Sequence, residues 1–325
     1  MGIETGLPVM SKSMFNAPHF QSVEAAREYL EALRWGSERV CPHCGVVNES
    51  FATKKPGVYR CRVKACRKDF SVTTKSVMES SHIKLNVWLQ AFFLMASSKK
   101  GISSHQLHRA LGITYKSAWF LTHRIREAMR SGGLLPPMGG GAKTVEVDET
   151  YIGFLDGAPK KGRHGVSNRR TVLTLVERGG AARSFHVDGV RIADIAPILR
   201  ENLSRESKLM TDEASWYKEL GKDFLPHDTV NHSAEEYVRY TNAKEFPNGN
   251  DYVIHTNTVE GFYSIFKRGM KGVYQHCAEK HLHRYLSEFD FRYSNRVALG
   301  VNDGERRTLA IKNAAGKRLT YRGRH

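Results

Sequence analysis

Cys41-Pro-His-Cys44 is followed, after 16 intervening residues, by Cys61-x4-Cys66. No other feature restricts the fold as narrowly. Two thiolate pairs at this spacing can close on one tetrahedral ion from two tight knuckle turns. Gly45 follows the second cysteine, where a residue free to take positive φ suits such a turn. The spacing predicts a zinc ribbon with Cys41, Cys44, Cys61 and Cys66 around a structural Zn2+. Two disulfides are the rival pairing, disfavoured in a reducing intracellular compartment. His43 reads as a surface residue of the first knuckle, and Cys277 as a packing residue.

Composition narrows the partner. The chain has 325 residues, a net charge of +17 and a pI near 9.7. That excess favours a polyanion, and nucleic acid is the commonest one inside cells. No apolar run reaches the roughly 18 residues of a membrane span. The N-terminus lacks the basic start and apolar stretch of a secretory signal. A cytoplasmic protein with no membrane association is the expectation.

After a short helical lead-in (1–35) and the ribbon (36–80), the pattern turns helical over 81–131. Ser103 and Ser104 can cap one helix, Gly112 makes a turn, and Thr114 caps a second helix running to about Met129. This is helix-turn-helix spacing, in which the second helix can lie in a DNA major groove. Tyr115, Lys116, Ser117, His123, Arg124 and Arg126 are expected on its exposed side as DNA contacts. Residues 132–143 carry Gly and Pro in the manner of a linker.

Beyond the linker, "KTVEVDETYIGF" alternates as a strand, with Val145 and Val147 on one side and Glu146 and Asp148 on the other. Two further strands suggest an antiparallel meander. A helix, a strand ending at Asp212, another helix and "DTVNHSAEEYV" as a possible strand precede a helix that opens at "HTNTVEGFYSIFKRG". The order is that of an RNase H-like α/β domain (144–300), followed by a basic tail (301–325). In such a sheet Asp148 and Asp212 lie side by side, and a helix crossing it presents Glu260. Three carboxylates are the oxygen set that Mg2+ takes, with Mn2+ as a substitute. Glu260 and Lys267 lie seven residues apart, roughly 20° from alignment on a helix. Tyr263 and Ser264 fall between them on that polar side, opposite a stripe of Val259, Phe262, Ile265, Phe266 and Met270. Asn257-x-x-Glu260 also fits a capping box. Glu149 should turn away from Asp148, whereas Glu146 can share its face.

Taken in order, "CPHCG…YRCRVKACRKDFSVTT", "GISSHQLHRALGITYKSAWFLTHRIREAM", "VEVDETYIG", "LMTDEASWY" and "HTNTVEGFYSIFKRG" resemble the bacterial insertion-sequence transposases that join a zinc ribbon to a DDE catalytic domain. The resemblance runs from Val23 to Arg296. It implies Asp148, Asp212 and Glu260 as the metal-binding catalytic acids, with Lys267 as the lysine that follows them. It also implies Mg2+-dependent cleavage at the terminal inverted repeats and joining of the freed 3′-hydroxyl to target DNA, by a homo-oligomer assembled on DNA. Two rivals share parts of the pattern: a non-catalytic, domesticated DNA-binding regulator, and an RNase H-like nuclease without strand transfer.

Overall fold

The structure, a computed structural model, describes residues 14–132, 135–157, 168–214, 217, 220–224, 227–240 and 253–320. Most of the helix expected after Asp212 and the end of the tail lie outside these residues. The chain divides into two compact units, one of residues 1–94, 104–125 and 311–325, the other of residues 95–103 and 126–310.

In the first unit, α1 (Pro18–Gln21) leads into α2 (Val23–Trp35), which the Ser22 side chain caps by accepting from the Ala25 N–H at 3.0 Å. Trp35 then meets the ribbon, a three-stranded antiparallel sheet of β1 (Ser50–Ala52), β2 (Val58–Cys61) and β3 (Asp69–Ser71). Its ring stands edge-on to Tyr59 and Phe70, at 5.7 and 5.9 Å between centroids. Helix α3 (Leu85–Ser97) begins in this unit, which also holds α4 (Ser104–Leu111). Gly112 turns the chain at φ +62°, and the Thr114 hydroxyl accepts from the Ser117 N–H to start α5 (Tyr115–Met129). The helix-turn-helix spacing is therefore present.

Its exposed face is smaller than expected. Tyr115 and Lys116 are exposed and Ser117 half-buried, but every residue from Leu121 to Met129 is buried. His123, Arg124 and Arg126 are thus not on an open groove-facing side. The His123 ring packs on Trp119 at 4.3 Å. Arg124 donates to the Glu79 and Leu319 carbonyls at 2.6 and 3.1 Å. Arg126, in the second unit, donates to Glu288 at 2.7 Å. Aliphatic stems let arginines occupy such positions when acceptors meet the guanidinium, so charge alone does not mark a surface.

Residues 301–320 hold more structure than the expected tail. Asp303–Lys312 form the last helix, and the strand-like pairing of Ala315 with Ser76 ties the following residues to the ribbon's end, where Gly316 N–H meets the Lys75 carbonyl at 2.8 Å. The glycine-rich segment also docks in part. Met138 is buried and Gly139 has φ +79°, with Ser207 and Val145 lying where a Cβ would go.

The second unit is built on a five-stranded sheet of order β6-β5-β4-β7-β8, from β4 (Thr144–Ile152), β5 (Arg170–Glu177), β6 (Ala182–Val187), β7 (Lys208–Asp212) and β8 (His227–Val230). The first three strands form the expected meander, and β7 and β8 run parallel to β4. This is the RNase H-like mixed α/β arrangement. Val145, Val147, Leu173 and Leu175 point to one face, against Ile195 and Leu199 of α6 (Ile192–Asn202). Val172, Val176 and Ile152 point to the other, against α7 (Asn257–Gly269) and α8 (Leu282–Ser294). Period-two alternation thus decides which helix each strand residue meets. A small ladder of β9 (Arg239–Tyr240) and β10 (Val253–Ile254) precedes α7.

Glu288 of α8 is fully buried and receives Arg126, Arg292 and the Tyr274 hydroxyl. Removing Arg126 takes its donor away from Oε2 of this buried carboxylate, while Arg292 and Tyr274 serve Oε1. Arg126→Ala should cost about 3–5 kcal/mol in denaturant unfolding, while the salt dependence of DNA binding stays that of wild type. A flatter salt dependence would restore Arg126 as a phosphate contact.

Candidate active site and zinc centre

The four cysteines form one cluster, with all ligand atoms within 4.8 Å of one another. The Cys41 and Cys66 sulfurs are 3.9 Å apart, and those of Cys44 and Cys61 3.7 Å. A tetrahedron with Zn–S bonds of about 2.3 Å has edges of about 3.8 Å, whereas a disulfide needs about 2.0 Å. The geometry therefore fits Zn2+ and not two disulfides. Gly45 takes φ +80° in the first knuckle, and its N–H donates to the Cys41 carbonyl at 2.9 Å. His43 stays outside the cluster, its Nε2 3.2 Å from the Asp69 carbonyl.

The acids of the second unit are placed by strand register. Thr144 pairs with Lys208 and Glu146 with Met210; the ladder ends there, and the same offset continued for two residues would bring Asp148 opposite Asp212. Even-numbered residues of β4 face α7, and Glu260 stands on that helix. Burial pushes the Asp148 carboxyl up to about 7; the Glu149 N–H opposes this, Asp212 and Glu260 add to it, and Lys267 draws it back. The three acids and the lysine thus act on one small region. Glu260 is exposed, and Asp148, Asp212 and Lys267 are half-buried. Among the described residues, only the thiolates reach the tighter 4.8 Å grouping. The donor set suits a hard divalent cation such as Mg2+: carboxylate oxygens beside open space, with like charge crowded around Asp148.

Neighbouring acids have other partners. Glu149 turns to the opposite face and accepts from the Tyr217 hydroxyl at 2.6 Å. Glu213 accepts from Ser233 N–H and Oγ at 3.1 and 2.6 Å.

Two residues do more than their sequence context suggested. Tyr263, expected on the polar side of α7, is buried, and its hydroxyl donates to the Asp148 carbonyl at 2.5 Å and the Val172 carbonyl at 3.2 Å. The capping box is also replaced. Asn257 is already helical, and Thr256 in the cap position makes no side-chain cap bond. The Glu146 carboxylate of β4 serves instead, accepting from the Thr258 and Val259 N–H groups at 2.7 and 3.0 Å. The signal for this was a glutamate two residues before Asp148 on a strand face that a helix covers.

Two family patterns match the chain. The ISXO2-like transposase domain matches residues 139–294, and the transposase zinc-ribbon domain matches residues 21–69. Among curated proteins, an uncharacterized protein in transposable element ISH50 of Halobacterium salinarum is 25% identical over 291 residues, spanning 84% of this chain and 91% of that protein.

Because Asp148 holds its proton more tightly folded than unfolded, stability is present at low pH and is lost as pH rises from about 4 through about 7. Asp148→Asn should therefore raise the melting temperature of the metal-free protein more at pH 8 than at pH 5. The gain at pH 8 is at most about 4 kcal/mol and shrinks for wild type against variant once Mg2+ is added. Equal gains at both pH values would remove the electrostatic account.

Proposed function

This chain belongs to the insertion-sequence transposases that join a zinc ribbon to a DDE catalytic domain, and we propose that it cleaves one strand at each element end and joins the freed 3′-hydroxyl to target DNA. The observation that supports this reading is the parallel pairing of β4 with β7, the strands that carry Asp148 and Asp212, together with the charges of Asp212, Glu260 and Lys267 acting on Asp148.

In this reading Asp148, Asp212 and Glu260 would hold two Mg2+ ions, or Mn2+ in their place, which would supply Lewis acidity to the attacking and leaving oxygens of an in-line displacement. No side chain acts as nucleophile. In the first step a water oxygen bonds to phosphorus, the bond from phosphorus to the 3′ oxygen of the element end breaks, and that oxygen takes up a proton. In the second, the new 3′-hydroxyl oxygen bonds to a target phosphorus and releases the target's own 3′ oxygen, so the number of phosphodiester bonds is unchanged. Lys267 draws the scissile phosphate toward the acids, whose charge would otherwise repel it.

End recognition falls to the exposed first turn of α5 and to the ribbon. Tyr115 stacks on His105 at 4.2 Å, and Lys116 beside it is exposed. First-turn residues are those a recognition helix points at base edges. Two copies, one per element end, would pair the cleavages.

The decisive assay mixes purified protein, Mg2+, a labelled duplex of the element end and a plasmid target. Wild type should yield joined product, and Asp212→Asn and Glu260→Gln should bind the end without cutting it. Cut ends that are never joined would indicate a nuclease; binding without cutting by every form, a DNA-binding regulator. Lys116→Ala should flatten the log-affinity against log-salt slope by about 1.

A further inference from the structure

Glu146 is a carboxylate with no exposed surface, two residues before Asp148 on the same strand face. A buried charge of this kind is costly unless several donors meet it. Here they all come from the strand end beside it and from the chain entering α7. Its Oε2 accepts from the Thr258 and Val259 N–H groups, and its Oε1 accepts from the Thr258 hydroxyl at 2.7 Å and Arg178 Nε at 2.6 Å. His255 Nδ1 stands 3.1 Å away. Arg178 in turn donates to the Val253 and His255 carbonyls at 2.6 and 2.9 Å, gripping the segment before the helix.

The first N–H groups of a helix have no intrahelical acceptor and carry its positive end. In α7 a strand carboxylate meets two of them, with no cap from the helix's own N-cap side chain. Glu260 lies one residue beyond Val259. Between Asp148 and Glu260 there is thus a short path: two residues along β4 to Glu146, its carboxylate, and the first turn of α7.

We infer that Glu146, with Arg178, is a positioning residue that sets Glu260 against Asp148 and so preforms the metal site. The inference rests on the proposed reading of Glu260 as the third acid. Partners that orient metal ligands are typically worth about 10- to 100-fold in metal affinity or activity. A glutamine at this position keeps the shape but loses the charge, and its NH2 group opposes the helix donors.

The test compares full-length wild type with Glu146→Gln, Thr258→Val and Glu260→Gln. Mn2+ affinity is measured by calorimetry without DNA, and cleavage of the element-end duplex as separate kcat and KM. Glu146→Gln should weaken Mn2+ binding and lower kcat, each by about 10- to 100-fold, with KM for the duplex unchanged. Thr258→Val should show the same pattern at smaller size. If Glu146→Gln melts earlier yet keeps wild-type Mn2+ affinity and kcat well below its melting point, the carboxylate is only structural and the inference is overturned. Should Glu146→Gln not fold, Thr258→Val decides: a joint fall in affinity and kcat supports positioning, and wild-type values overturn it. Glu260→Gln separates the two levels. Wild-type affinity and cleavage in that variant sink the third-acid reading itself, whereas a dead Glu260→Gln beside a normal Glu146→Gln sinks only the positioning role.

Discussion

The parallel pairing of β4 with β7 is the constraint on which the second unit depends. Paired parallel strands keep a constant offset, and the ladder from the Thr144 and Lys208 pair to the Glu146 and Met210 pair runs toward the strand positions of Asp148 and Asp212. A shift of one residue would turn one aspartate toward α6 and its apolar partners. Register is held by the buried side chains on both faces. Val145 and Val147 pack beneath α6, while Val172 and Val176 of the adjoining strand pack beneath α7 and α8. The acids are thus placed by hydrophobic packing they take no part in.

Charge is handled differently in different parts of this basic chain. Around Asp148 burial pushes the carboxyl up to about 7, and the like charges of Asp212 and Glu260 add to the effect. Around Glu288 and Glu146 the opposite holds: each buried carboxylate is surrounded by arginine and hydroxyl or amide donors. The first arrangement suits the capture of a cation, and the second joins helices to their surroundings. Several arginines that swell the net charge of +17 are therefore spent inside the protein, not on its surface.

The ribbon solves a problem of size. Its strands are three or four residues long, too short to bury a core of their own. Four sulfurs at metal-ligand spacing and the Trp35–Tyr59–Phe70 cluster share the work of holding them. Closure of the C-terminal residues on Lys75–Val77 extends that small body from the far end of the chain.

Much of this was legible in the sequence, where local chemistry leaves little choice. Cysteine spacing determined the metal cluster, alternation in "TVEVDETYI" determined which residues share a strand face, and Gly112 with Thr114 determined where one helix ends and the next begins. These features rest on contacts within a few residues, so a short window contains them. The tertiary structure alone decided the rest. Helix α5 has the charged pattern of an open face, yet His123 is buried against Trp119, and Arg124 and Arg126 are buried where distant carbonyls and Glu288 meet them. Tyr263 lies on a polar side by helical period but is covered by the sheet. The cap of α7 looked local, as Asn257 and Glu260, and proved to come from Glu146, more than a hundred residues earlier. A local window shows which groups need a partner; which partner arrives depends on what the fold packs against them.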